Sequence, residues 1–197
     1  YKLGGAGTPS LPIQSIGFNV ETVRPSAKSG VSLTVLDVHG GKSSSSSQLW
    51  KDYLQQRPAP AAGGLRDAPV RPDGVVFVVD CADRERLPEA AELLRAVLES
   101  SHHSNDPEQE ENSSSGGGSS SSSATMQSVP LVVLANKQDL ARDNDVGGVI
   151  GVQELTERLQ LARVAKRHAV LPASALNGTG THEAVNKLIS MIKESKV

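Results

Sequence analysis

Two short runs in this chain are almost wholly apolar. Val75 to Cys81 reads VVFVVDC, and Pro130 to Ala135 reads PLVVLA before Asn136. Runs this short and apolar fit strands buried on both faces, as in parallel sheets covered by helices. The intervening pattern agrees. Leu87 to Leu98 has leucines at 87, 93, 94 and 98 with charge between them, which is helical spacing, and Pro88 suits a first helical turn. Gln153 to Leu161 predicts a helix marked by Leu155, Leu159 and Leu161. Ala169 to Ala173 predicts a short strand. Thr181 to Lys193 predicts a final helix with Val185, Leu188, Ile189 and Ile192 on one side. Phe18 to Val23 and Ser32 to Val38 predict two strands joined by a turn containing Pro25 and Gly30. Together these predict an α/β domain with a mostly parallel sheet, helices on both faces and one antiparallel edge hairpin.

Other stretches cannot bury enough apolar surface to offset the entropy of ordering them. They are Lys42 to Ser47, Arg57 to Asp73, Ser100 to Ser128, and the short Gly and Asp loop from Asp143 to Gly151. The sequence therefore predicts one domain over residues 1–197, incomplete at its amino-terminal side, with low-complexity insertions at 42–47, 57–73 and 100–128. His102 and His103 fall in the longest insertion, where a solvated pair is the ordinary reading. With aromatics at 3% the core must rest on Val, Leu, Ile and Ala. Net charge is −2, so the whole chain has no strong attraction to nucleic acid or acidic lipid. The one cysteine, Cys81, excludes an internal disulfide and fits a reducing compartment; at a strand end it reads as a buried, inert thiol. No apolar run approaches the roughly 18 residues of a membrane span, and no signal peptide is expected.

Ligands of open α/β sheets bind beyond the carboxyl ends of the strands. Asp37, Asp80, Asn136 and Ser174 fall at such ends and are candidates to line one crevice. Polar residues follow strands wherever chains turn, and Asp80 in particular reads as a turn-forming residue. Asn136-Lys137-Gln138-Asp139 is more specific. Asp139 can accept hydrogen bonds from both the N1–H and the exocyclic amine of a guanine, and adenine lacks those donors there. A buried polar group left unpaired costs about 1–3 kcal/mol, so such a carboxylate discriminates. Asn136 can hold the loop and touch the base, and Lys137 can lay its methylene stem over the ring. Ala173-Ser174-Ala175-Leu176 follows another strand. There Ser174 can brace the loop while the Ala175 N–H donates to the guanine carbonyl. Asp37-x-x-Gly40 has the form of a magnesium and γ-phosphate sensor, with Asp37 holding the metal through water and Gly40 offering a backbone N–H.

These motifs stand in a familiar order. Tyr1-Lys2-Leu3, IGFNVETV from Ile16 to Val23, Leu33 to Gly40, Leu49 to Tyr53, Phe77 to Asp80, LANKQDL from Leu134 to Leu140 and SALNGTG from Ser174 together resemble the Arf and Arf-like small GTPases. The resemblance implies a Ras-like P-loop NTPase fold, with GTP or GDP and Mg²⁺ as ligands. It implies a switch that recruits effectors in vesicle trafficking, and partners that include exchange factors and GTPase-activating proteins but no nucleic acid. It also implies a cytoplasmic protein, peripheral on endomembranes only through a lipidated segment upstream of Tyr1. Ser15 stands where the family has a magnesium-ligating threonine, so Ser15 and Asp37 are the implied metal residues. Phe18 and Tyr53 match two aromatics of the effector surface, and Leu36 replaces the third. Trp50 reads as a packing residue.

One part of the family pattern is missing. The phosphate loop, G-x-x-x-x-G-K-[ST], would precede Tyr1-Lys2-Leu3, and the natural protein is expected to continue upstream. Gly41-Lys42-Ser43 is a near miss, but Leu36 stands where its first glycine belongs, within a strand pattern. Its reading as a degenerate loop of another NTPase is the weaker one. Losing three charge-assisted hydrogen bonds costs roughly 5–9 kcal/mol, about four to six powers of ten in affinity. These residues alone are therefore expected to bind GTP poorly. The first sheet strand would be absent with the loop, leaving the strands that end at Asp37 and Asp80 without their shared neighbour. Gln14 replaces a usual proline. His39 stands in place of a glycine, and Gly41 in place of the glutamine that orients the attacking water, so slow or absent hydrolysis is expected. The alternative is a degenerate module that binds partners without nucleotide, through the surface around Phe18 and Tyr53.

Overall fold

The computed structural model describes residues 18–25, 30–38, 72–99, 126–141 and 148–196. Its elements follow the expected alternation. Strand β1 (Phe18–Val23) and strand β2 (Leu33–Val38) are followed by β3 (Val75–Asp80), helix α1 (Leu87–Glu99) and β4 (Leu131–Asn136). Helices α2 (Val152–Arg158) and α3 (Leu161–Val164), strand β5 (His168–Pro172) and helix α4 (Thr181–Ser195) complete the order. Strands β3, β4 and β5 form a parallel sheet in that order, with Asp80 opposite Asn136 and Ala135 opposite Pro172. Hence the ends of all three strands converge, which is where an open parallel sheet presents a ligand site.

Both faces of β4 are buried, as its unbroken apolar run requires. Leu131, Val133 and Ala135 join Val79, Leu94, Leu98, Leu155 and Leu161 on one side. Val132 joins Ala184, Leu188 and Met191 of α4 on the other. The α4 stripe is centred one residue from the expected one: Ala184, Leu188 and Met191 are buried, while Val185, Ile189 and Ile192 are only half-buried. Gly74 explains how closely α4 approaches the start of β3. A Cβ there would lie 2.8 Å from Leu188 Cδ1 and 3.0 Å from Ile192 Cδ1.

The expected single helix from Gln153 to Leu161 is two. Gln160 adopts φ 52°, a left-handed conformation unusual for a residue with a Cβ, and this separates α2 from α3. The break keeps Leu155, Leu159 and Leu161 all in the core. Two segments read as solvated are also partly packed. Met126, at the end of the Ser100 to Ser128 tract, opens a 3₁₀ turn and is buried against Val97 and Val129. Ile150, in the Asp143 to Gly151 loop, is buried in the main core. An isolated apolar residue in a polar tract has no periodicity to announce it. Asp73, at the edge of the Arg57 to Asp73 tract, pairs with Lys196 at 2.9 Å.

The hairpin is a separate two-stranded antiparallel sheet, with Val20 opposite Leu36 and Asn19 opposite Asp37. Among the described residues no strand ladder joins β2 to β3. Among the described residues strand β3 therefore has a strand partner on one side only. Its Val76 and Val78 lie in register with Val132 and Leu134 but remain 40% and 58% exposed, because α4 covers β4 and β5 instead. The two strands expected to lack a shared neighbour do not substitute for it by pairing with each other.

Candidate functional site

The site grows from the ends of β4 and β5. Beyond Asn136 the chain turns through Lys137, held at φ 67° in the left-handed region, into a 3₁₀ turn over Gln138–Leu140. Beyond β5 the chain is tied to β4 by two backbone bonds. The Ala173 N–H donates to the Ala135 carbonyl at 2.9 Å, and the Gln138 N–H donates to the Ala173 carbonyl at 3.1 Å. Side chains then join the two loops. Ser174 Oγ donates to Asp139 Oδ1 at 2.5 Å, and the Ala175 N–H donates to Asn136 Oδ1 at 2.9 Å. These bonds bring together four predicted site residues, Asn136, Asp139, Ser174 and Ala175, while Lys137 lies on the same loop with its side chain paired to Asp80.

Ser174 is the one buried polar residue among those described. Its hydroxyl donates to the carboxylate and lies 3.5 Å from the Asn177 N–H, while its own N–H donates to the Thr179 carbonyl at 3.0 Å. A buried hydroxyl held from several sides is a fixed brace. Gly180 makes the turn behind it possible. At φ +74° it starts α4, and a Cβ there would lie 2.1 Å from the Pro172 carbonyl oxygen.

Asp139 is exposed, and Asp139 Oδ2 has no hydrogen-bond partner among the described residues. Each ionised carboxylate oxygen offers two lone pairs, so a pair of N–H donors can still be received. The donor and acceptor set therefore fits the edge of a guanine. Two details differ from expectation. The expected carboxylate is buried, whereas Asp139 is exposed, so any penalty for leaving it unpaired arises only once a bound base covers it. The Ala175 N–H is already engaged by Asn136 Oδ1, so a guanine carbonyl would have to share or replace that acceptor.

Two residues have larger parts here than the sequence indicated. Gln138, the variable position of the motif, sends its Nε2 to the Ile150 carbonyl at 3.2 Å, and the Ile150 N–H donates to the Cys81 carbonyl at 2.8 Å. Asp80 does form a turn, as expected, by accepting the Ala82 N–H at 3.0 Å on Oδ1. Its Oδ2 also reaches Lys137 Nζ at 2.7 Å. No local pattern reveals such long-range partners. Cys81 is fully buried beside them, and burial, with the adjacent Asp80 charge, pushes its thiol up to about 11. This is the inert cysteine expected.

The remaining candidates stand apart. Asp37 is exposed on β2 and makes no hydrogen bond or ion pair with the loop residues, so the single crevice of four strand ends is not assembled by any direct bond. A carboxylate is suitable oxygen chemistry for Mg²⁺. Among the described residues, however, no three acidic, histidine or cysteine side chains cluster as a metal site. Leu36 is exposed on the same strand, opposite an exposed Val20. Ser15, Gly40, Tyr53, Gly41 and Trp50 lie outside the described residues, as does the side chain of Phe18.

A partly parallel α/β sheet with helices on both faces and an N-K-x-D loop at its carboxyl edge has the fold of the Ras-like small GTPases. Comparison with known proteins bears this out. The structure matches that of the Arl6 small GTPase from Trypanosoma brucei, solved with a bound nucleotide analogue, GppNp, at a TM-score of 0.61. That match covers 98% of this chain and 88% of the other at 24% sequence identity. Residues 121–192 match the ADP-ribosylation factor family. The resemblance read from the sequence is therefore supported by the family match over residues 121–192, the part that contains both base-site loops.

Proposed function

We propose that the chain as a whole is an Arf-like small GTPase domain whose ligand is a guanine nucleotide. The observation that carries this reading is the bond from buried Ser174 to Asp139, which leaves the carboxylate aimed by a fixed partner, with no hydrogen bond to Oδ2 among the described residues. In the proposed roles Asp139 selects guanine, Asn136 and Ala175 contact the base edge, and Lys137 covers the ring. Asp37 and Ser15 would hold Mg²⁺, which supplies charge neutralisation at the phosphates, and Gly40 would face the γ-phosphate. The switch would recruit effectors of vesicle trafficking through Phe18, Leu36 and Tyr53, under the control of exchange factors and GTPase-activating proteins.

These residues contain no G-x-x-x-x-G-K-[ST] sequence, and Gly41 offers no side chain to orient water. Binding by this chain accordingly rests on base contacts and is weak, and hydrolysis is slow or absent. A titration followed by amide NMR tests the base site directly. Guanosine and GDP are expected to shift the resonances of residues 136–139 and 174–175, and adenosine and ADP to leave them in place. Equal responses to both bases would refute the assignment.

The exposed Val20 and Leu36 on the hairpin favour a second reading, a nucleotide-independent interaction module. Base-site resonances indifferent to every nucleotide would select it.

A further inference from the structure

The Asp80 carboxylate has two partners, and they differ in kind. Oδ1 accepts the Ala82 N–H, a local bond that sets the orientation of the carboxylate from the backbone. Oδ2 meets Lys137 Nζ at 2.7 Å. Strand register explains the meeting, because Asp80 pairs with Asn136 and Lys137 is the next residue. The Cys81 N–H also donates to the Asn136 carbonyl at 3.2 Å, holding the two strand ends together.

Asp80 and Lys137 have side chains 33% and 47% exposed, and ion pairs this accessible add little to stability. Their effect is on freedom. A lysine has four rotatable bonds, and a ligand that must order it loses affinity. Here the ammonium is already tethered, and the left-handed backbone of Lys137 sets the origin of its stem. We propose that Asp80 is a positioning residue that holds Lys137 ready, so that its methylene stem forms one wall of the base slot. This rests on the guanine-binding reading above.

The test is Asp80→Asn. The amide oxygen can still accept the Ala82 N–H, so the turn survives, while the ion pair is lost. In the nucleotide-free protein, the two Lys137 Hε resonances are expected to be distinct in the unsubstituted chain and to merge in the variant. Guanosine and GDP affinity is expected to fall about three- to tenfold, the cost of ordering one rotamer-rich side chain. In a Lys137→Met background the same change is expected to cost nothing further, and Asp80→Glu to restore part of the loss. Unchanged guanine affinity in Asp80→Asn, or an equal loss in the Lys137→Met background, overturns the positioning role alone. If the unsubstituted chain shows distinct Hε resonances but binds no guanine compound, the guanine reading falls and this role with it.

Discussion

The hairpin and the three-stranded sheet are built from equally short strands, yet they differ in what surrounds them. Strand β4 has a strand on each side and helices on both faces, and four of its six residues are wholly buried. Among the described residues the hairpin strands pair only with each other, and Val20, Val35 and Leu36 remain exposed. A two-stranded hairpin by itself is marginal in water, because it has no second layer to bury a face. The candidate base-site loops are therefore mounted on the better packed of these two regions. Asp37 and Leu36, the candidates for metal and effector, are mounted on the less packed of the two. Discrimination between bases needs fixed donors and acceptors; a surface meant to respond to ligands or partners is better drawn from the low-stability end.

The strongest way to break this contrast is to remove packing from each region in turn. Leu131→Ala in β4 is expected to cost about 2–5 kcal/mol in urea unfolding. Val35→Ala in the hairpin is expected to fall within about 0.5 kcal/mol of the parent protein. Comparable costs would mean that the hairpin shares the core.

A smaller effect sharpens the link between packing and site. Ser174→Ala removes the hydroxyl that holds Asp139, and about 0.5–1.5 kcal/mol of stability should go with it. The guanine response at residues 136–139 should weaken more than the melting temperature falls. A variant that keeps full guanine preference would show that Asp139 needs no brace.

At neutral pH the smallest effect concerns Cys81. Its folded thiol is raised from 9.0 to about 11 by burial, so the folded protein keeps a proton that the unfolded chain releases. This contribution to stability is intact below about pH 9 and is lost as pH rises through about 11. Native-state alkylation of Cys81 should be slow at neutral pH and accelerate on unfolding. Rapid labelling of the folded protein would show that the strand ends around Asp80 and Cys81 open readily.

Much of this organisation is legible in the residues. The apolar runs at 75–81 and 130–135 announce buried parallel strands, and the leucine spacing from Leu87 announces α1. Asn136 to Asp139 and Ser174 to Leu176 announce loops at strand ends. The burial of Met126 and Ile150 and the one-residue shift of the α4 stripe are not legible, because each depends on packing against residues distant in sequence; nor is the break at Gln160, which no glycine or proline marks. At the candidate base site Ser174 and Asp139 meet across 35 residues of chain, and the Ala175 N–H and Asn136 across 39.

Sequence alone determined the types of the elements, the donors and acceptors available at the base site, and the lack of a glycine-rich phosphate loop within these residues. Those properties are written locally, in periodicity and side-chain chemistry. Only the tertiary structure decided that the hairpin forms its own sheet, that Asn136 occupies the Ala175 N–H, and that Asp80 holds Lys137. Partnership between distant groups is a matter of register and packing, and no local pattern encodes which of several equivalent partners lies within hydrogen-bonding reach.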